Sequence, residues 1–136
     1  MKVSDRMTRD VVTLEEDQSL RDALSLQQRH KIRHIPIVTL GRVVGILTDR
    51  DLKRASPSLL SGISQEKYDE LLDTTLVGQV MTRDPQAVTP ETSIKEVAKI
   101  LIDQKFGALP VTDKNQLVGI ITDIDLLGVL HELLDE

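Results

Sequence analysis

GILTDRDL at 45–52 returns as GIITDIDL at 119–126, so one eight-residue phrase is used twice, 74 positions apart. Worked outward at that offset, residues 3–55 align with 77–129 without a gap, and fifteen of the 53 positions are identical. The identities include Met7/Met81, Thr8/Thr82, Arg9/Arg83, Asp10/Asp84, Ser19/Ser93, Pro36/Pro110, Gly45/Gly119, Thr48/Thr122, Asp49/Asp123 and Asp51/Asp125. A repeat of this length implies one structural unit used twice, facing itself across an approximate two-fold axis. Any site in one copy then has a counterpart in the other.

Each copy reads as β-α-β-β-α. A short β-branched run opens it, VVTL at 11–14 and QAVT at 86–89. A helix follows, with Ser19 to Asp22 and Ser93 to Glu96 each spaced as a Ser-x-x-acid capping box. Leu20, Ala23, Leu24 and Gln27 share one face of the first helix. Ile94, Val97, Ala98 and Leu101 share one face of the second, and Ile102 widens that stripe. The helices end near Lys31 and Lys105. Strands HIPIV (34–38) and ALPVT (108–112) come next; their proline lacks a donor and so predicts a sheet edge or an irregular ladder. After turns at 41–42 and 113–116, strands 43–48 and 117–122 lead to helices capped by Asp49 and Asp123. The expected division is a first motif at 1–60, a linker with a short helix at 61–76, and a second motif at 77–136. Within the stretch 56–76, the Ser/Pro/Gly part reads as a loop and 65–72 as a helix capped by Ser64.

Forty per cent of the 136 residues are apolar, yet there is no Trp, one Tyr (Tyr68) and one Phe (Phe106), so Ile, Leu, Val and Ala must build the core. A flat ring held inside would lie between branched aliphatic side chains. The absence of Cys excludes disulfides and thiolate chemistry and fits a reducing compartment. The opening MKVSDRMTRD has no apolar run that would make a signal peptide, and no stretch approaches the roughly 18 apolar residues of a membrane span. The expected location is cytoplasmic. The net charge of −5 hides a split: residues 1–60 carry 11 Lys/Arg against 8 Asp/Glu, and residues 61–136 carry 6 against 14.

The ordered set of motifs resembles the cystathionine-β-synthase (CBS) domain. It consists of MTRD at 7–10 and 81–84, the x-I/L-P-V/I strands at 34–37 and 108–111, and G-I-x-T-D-x-D-L at 45–52 and 119–126. The resemblance covers nearly the whole chain, and TDRDLKRASPS at 48–58 is similar to small stand-alone CBS proteins of the acetoin-utilisation (AcuB) type. It implies an α+β fold of two CBS motifs related by pseudo-two-fold symmetry, forming one Bateman module, and assembly of two modules as a homodimer. It also implies clefts for adenosine-containing ligands (AMP, ADP, ATP or S-adenosylmethionine), with no required cofactor and no catalysis.

Elementary chemistry gives the matched residues plausible work. Thr48 ends a strand and Asp49 starts a helix, whose first-turn N–H groups favour phosphate. A hydroxyl at Thr48 can donate to phosphate. Asp51, one turn along, can accept from two vicinal hydroxyls, as on a ribose. Thr122, Asp123 and Asp125 repeat the arrangement. The family resemblance assigns those roles to Thr48/Asp51 and Thr122/Asp125. It gives backbone contacts with adenine to His34-Ile35-Pro36 and Ala108-Leu109-Pro110, with Thr13 and Ala87 nearby. The plain alternative is that Asp49 and Asp123 are ordinary N-caps, Asp51 and Asp125 only favour the helix dipole, and Thr48 and Thr122 only suit strand ends. The copies differ where phosphate would lie: Arg50, Lys53 and Arg54 in the first stand against Ile124, Leu127 and Gly128 in the second. The first site is therefore expected to take the more phosphorylated ligand.

The basic run RHKIRH at 29–34 reads as a solvated helix end; the acidic balance and lack of aromatic stacking groups argue against nucleic acid. No metal set, nucleophile-base pair or phosphate-cradling glycine loop is recognisable. The expected function is a regulatory adenine-nucleotide sensor signalling to an unknown effector protein by conformational change. The alternative is a ligand-free interaction or scaffold module, recognised through the leucine-rich last helix at 126–134.

Overall fold

The computed structural model describes residues 1–56 and 62–135. Much of the expected Ser/Pro/Gly loop, and the last two residues of the 48–58 phrase, lie outside the described residues. The first repeat contains α1 (Leu20–His30), β1 (His34–Thr39), β2 (Arg42–Thr48) and α2 (Asp49–Ala55). Then come α3 (Gln65–Thr74), α4 (Val77–Val80) and β3 (Thr82–Arg83). The second repeat adds α5 (Ile94–Gln104), β4 (Ala108–Asp113), β5 (Gln116–Thr122) and α6 (Asp123–Leu133).

Local chemistry sets most of these boundaries. At α1, Ser19 Oγ accepts from the Asp22 N–H at 3.1 Å, and the Asp22 carboxylate accepts from the Ser19 N–H at 3.2 Å. At α5 only the serine half forms, with Ser93 Oγ accepting from the Glu96 N–H at 3.1 Å. Ser64 caps α3 by accepting from the Lys67 N–H, and that helix runs two residues past the expected end. Lys31 and Lys105 terminate α1 and α5 in the left-handed region, at φ 53° and 57°. The β1–β2 turn falls on Leu40 and Gly41 and the β4–β5 turn on Lys114 and Asn115, all at positive φ, the pattern of a tight primed turn.

Prolines shape the sheets as expected, and more sharply than expected at the leading runs. β1 lies at the edge of a three-stranded sheet ordered β1-β2-β3, and β4–β5 carries an irregularity between Val111 and Thr112. The runs at 11–14 and 86–89 do not form strands; each makes one parallel bridge, Leu14 to Ile37 and Val88 to Val111. The Leu14 N–H donates to Pro36 O and the Val38 N–H donates to Leu14 O. Extending that ladder backward needs an N–H at residue 36, which proline lacks. Pro110 stops the second ladder in the same way.

Two compact units result, and each draws residues from both sequence repeats. One comprises Met1–Val11, Gly41–Val43 and Pro85–Glu136; the other comprises Val12–Leu40 and Val44–Asp84. The leading segment of the chain is held in the first unit by Val3 N–H to Thr92 O (2.8 Å) and by paired Thr8 and Ile120 backbones (2.9 Å each way). In the other unit, β3 occupies the corresponding place, with Thr82 opposite Ile46 and Arg83 opposite Gly45. Counted by unit, the charge split disappears: 8 Lys/Arg against 11 Asp/Glu in the first, and 9 against 11 in the other.

Each unit has an aliphatic core. Leu14, Leu20, Ala23, Ile35, Ile37, Leu47, Leu52, Leu72, Val77 and Met81 form one. Val3, Val88, Ile94, Val97, Leu101, Leu109, Val111 and Ile121 form the other. Burying each of the larger side chains is worth about 1.5–3 kcal/mol. Ile102 does not join the α5 stripe; it is 73% exposed, and Ile100 packs on the core instead. The glycines of the repeated phrase permit close packing. A β-carbon at Gly45 would meet Met81 Sδ and lie 3.0 Å from Thr82 O. One at Gly119 would lie 2.7 Å from Met7 Sδ and 2.9 Å from Thr8 O.

Candidate functional site

The repeated phrase brings a strand end and a helix start together in each unit. At the β2–α2 junction, Thr48 Oγ1 accepts from the Asp51 N–H at 3.1 Å, and Asp51 Oδ2 accepts from the Thr48 N–H at 3.0 Å. Thr48, not the expected Asp49, is therefore the N-cap of α2, as Thr122 rather than Asp123 is of α6, and the Thr48/Asp51 pair is a capping box. It leaves two things unused: the Thr48 hydroxyl proton, and lone pairs of the Asp51 carboxylate, which has about four acceptor positions. Both residues are half-buried. The Asp49 N–H donates to Arg33 O at 2.9 Å, fixing the start of α2 beside the start of β1.

The β5–α6 junction repeats this frame. The Asp125 N–H donates to Thr122 Oγ1 at 3.3 Å, the Thr122 N–H donates to Asp125 Oδ2 at 2.9 Å, and the Asp123 N–H donates to Gly107 O at 2.9 Å. Ala108 pairs directly with Thr122 across the two strands. Here, however, the Thr122 hydroxyl also donates to Asp125 Oδ2 at 3.2 Å, so its proton is occupied within the cap.

The remaining sequence-predicted positions sort by accessibility. Ile35, Pro36 and Leu109 are fully buried, and Ala108 and Pro110 are buried, so these segments could offer a ligand backbone groups rather than side chains. Of those groups, Pro36 O and Pro110 O already accept from Leu14 and Val88. His34 and Thr13 are half-buried and Ala87 is exposed. Arg50 is exposed in the first turn of α2, while Lys53 and Arg54 are exposed in its last turn. Lys53 and Arg54 therefore complement the helix's C-terminal carbonyls as well as any phosphate. None of the three makes an ion pair among the described residues. No group of three His, Asp or Glu side chains is placed to hold a metal among the described residues, and no described helix is long and apolar enough to cross a membrane.

One neighbour of the site was not among the expected residues. The Thr82 hydroxyl, on β3, lies 3.3 Å from Asp51 Oδ2 and 3.5 Å from Asp51 Oδ1. The signal was present as the Thr8/Thr82 identity within the repeated MTRD, but neither helix nor strand periodicity gives a reason for a threonine there.

Comparison with known proteins identifies the family and the fold. The CBS domain family pattern matches residues 3–58 and 77–132. The Vibrio cholerae chain described as an acetoin utilization protein (AcuB) is 37% identical, superposes with a TM-score of 0.81, and is matched over 98% of this chain and 92% of its own. CBSX2 of Arabidopsis thaliana, solved in complex with AMP, is 27% identical with a TM-score of 0.81 and 97% of both chains covered. The CBS domain pair of protein MJ0100, solved with 5′-methylthioadenosine and S-adenosylmethionine, is 25% identical with a TM-score of 0.80 and 97% of both chains covered. With two matched segments spanning most of its length and a fold shared with solved CBS pairs, this chain is a member of the CBS domain family, carrying two CBS motifs of the kind that form a Bateman module.

Proposed function

We propose that the chain is a cytoplasmic, non-catalytic sensor of adenosine-containing ligands that signals to an effector protein through a change in conformation. The observation that carries this reading is the Thr48/Asp51 pair. It presents a hydroxyl with a spare proton and a carboxylate with spare lone pairs one helical turn apart, in a fold whose relatives hold AMP and S-adenosylmethionine. In the proposed mode Thr48 donates to a phosphate oxygen and Asp51 accepts from the ribose hydroxyls. The segments 34–36 and 108–110 offer backbone groups to adenine. Thr122/Asp125 form a second site, weaker for phosphate because Ile124 replaces Arg50 and because the Thr122 hydroxyl is already committed. Ligand shifts the conformational balance only by its differential affinity for the two states.

Thermal melting with AMP, ATP and S-adenosylmethionine at millimolar concentration tests the reading. At a concentration near 100 times Kd, binding adds about 2.7 kcal/mol of stability and raises Tm. An unchanged Tm with all three ligands would sink it.

A second reading, a ligand-independent interaction module, is favoured by α6. Ile124, Leu127, Leu130, Leu133 and Leu134 are all at least half exposed, an apolar surface suited to a homodimer or protein partner. The two readings are compatible if the partner responds to ligand.

A further inference from the structure

We infer that Thr82 is a positioning residue that selects ribose over deoxyribose at the Thr48/Asp51 site; this rests on the nucleotide reading above. Thr82 belongs by sequence to the second repeat, yet it lies in the same compact unit as Asp51. Its backbone is well anchored. Met81 N–H donates to Val77 O at 3.0 Å, Asp84 N–H donates to Val44 O at 3.2 Å, and Thr82 itself pairs with Ile46. The hydroxyl is therefore delivered to the carboxylate by a held segment. It lies within reach of both carboxylate oxygens, at 3.3 and 3.5 Å, while the Thr48 N–H donates to Oδ2 at 3.0 Å.

Two donors from two different elements thus fix the plane of one carboxylate. A carboxylate has about four acceptor positions. With two used, two remain, the number required by a vicinal diol. Removing the Thr82 donor leaves Asp51 held only by its own helix cap and free to turn about its side-chain bonds. Binding of a diol would then have to order a carboxylate that is now ordered in advance, which weakens affinity. A ligand lacking one hydroxyl engages the carboxylate less completely and depends less on that ordering. The unit that holds Asp125 contrasts with this: Thr8 pairs with Ile120 as Thr82 does with Ile46, but Asp125 Oδ2 is held by Thr122 through both its N–H and its hydroxyl.

The test is calorimetric titration of AMP and 2′-deoxy-AMP into the full chain carrying Asp125→Ala, so that only the Thr48/Asp51 site is read. Thr82→Val keeps the β-branched shape at an exposed strand position and removes the hydroxyl. It is expected to weaken AMP binding about tenfold and to bring the AMP to 2′-deoxy-AMP affinity ratio close to one, with Thr82→Ser restoring both. Equal AMP affinity and an equal ratio in Thr82→Val would overturn the role of Thr82 and leave the nucleotide site standing. If the Asp125→Ala chain binds neither ligand with Thr82 intact, the nucleotide reading of this site fails and the role of Thr82 fails with it.

Discussion

The first turns of α2 and α6 carry the same Thr-Asp-x-Asp residues and the same backbone bonds, yet they are not the same site. In α2 the carboxylate is braced by a threonine from another strand, and the capping threonine keeps its proton. In α6 the capping threonine donates to its own aspartate. The position between the two aspartates is arginine (Arg50) in one and isoleucine (Ile124) in the other. Repetition therefore preserves the scaffold that makes a site, while the ligand preference is set by what surrounds it.

The largest effects should fall on what the units share. Leu47 and Ile121 are matched residues, both fully buried, one in each core. Leu47→Ala and Ile121→Ala should each cost about 2–5 kcal/mol in urea unfolding, from lost transfer energy and the cavity left behind. A cost below about 1 kcal/mol at one site only would mean that the two cores are not equally well packed, and the structural equivalence would break.

Next come the aspartates, where the sites are expected to diverge. Asp51→Ala should reduce AMP affinity by about one to two orders of magnitude, the worth of a charge-assisted hydrogen bond or two. Asp125→Ala should reduce it less at the site filled first. Calorimetry resolves the two, and equal loss from both substitutions would contradict the ranking. Replacing Arg50 by Ala sharpens the same point: it should lower ATP affinity several-fold, by roughly the strength of one exposed charge contact, while leaving adenosine binding unchanged.

How far the sequence could be read follows from what its patterns encode. Capping residues, proline and alternating strands act within a few positions, so helices α1, α2, α3, α5 and α6, the strand pairs β1–β2 and β4–β5, and helix ends near Lys31 and Lys105 were legible. The left-handed conformation of those ends was not, the β1–β2 turn falls one residue earlier than expected, and the runs at 11–14 and 86–89 form no strands. The repeated phrase by itself marks Thr48, Asp51, Thr122 and Asp125 as residues of strand–helix junctions. The grouping of Met1–Val11 with Pro85–Glu136 was not legible, because the backbone pairing of Thr8 with Ile120 carries no residue code, and two apolar residues, Val3 and Met7, do not by themselves name the core they join. Thr82 was missed for the same reason: its contact with Asp51 depends on which unit its strand enters. Ile102 misled because an apolar residue at helical spacing reads as core whether or not anything covers it.

Smaller differences should appear at the caps themselves. Thr48→Ala and Thr122→Ala each remove a side-chain acceptor from an N-terminal helix turn, at a cost of about 1 kcal/mol. Thr122→Ala should cost somewhat more, because it also deletes the hydroxyl donation to Asp125. Chemical denaturation of both variants in the absence of ligand reads this directly. If Thr48→Ala proves the costlier of the two, the spare proton assigned to Thr48 is instead engaged in the free protein.

The smallest expected effect distinguishes the two units by pH. Arg6 donates to the Glu132 carboxylate, and that hydrogen bond, with the charge beside it, holds the Glu132 carboxyl below its usual range. At the position matching Arg6 the other repeat has Val80, which cannot form such a pair. A carboxyl lowered in the folded state contributes stability above the ordinary glutamate range. That contribution is lost as pH falls through the lowered value. Glu132→Gln should therefore lower Tm slightly at neutral pH, and the gap from the unmodified chain should close as pH falls from about 5 to about 3. Because the pair is on the surface, added salt should close the same gap at neutral pH. A gap that persists in both acid and high salt would assign the effect of Glu132 to packing along α6 rather than to its charge.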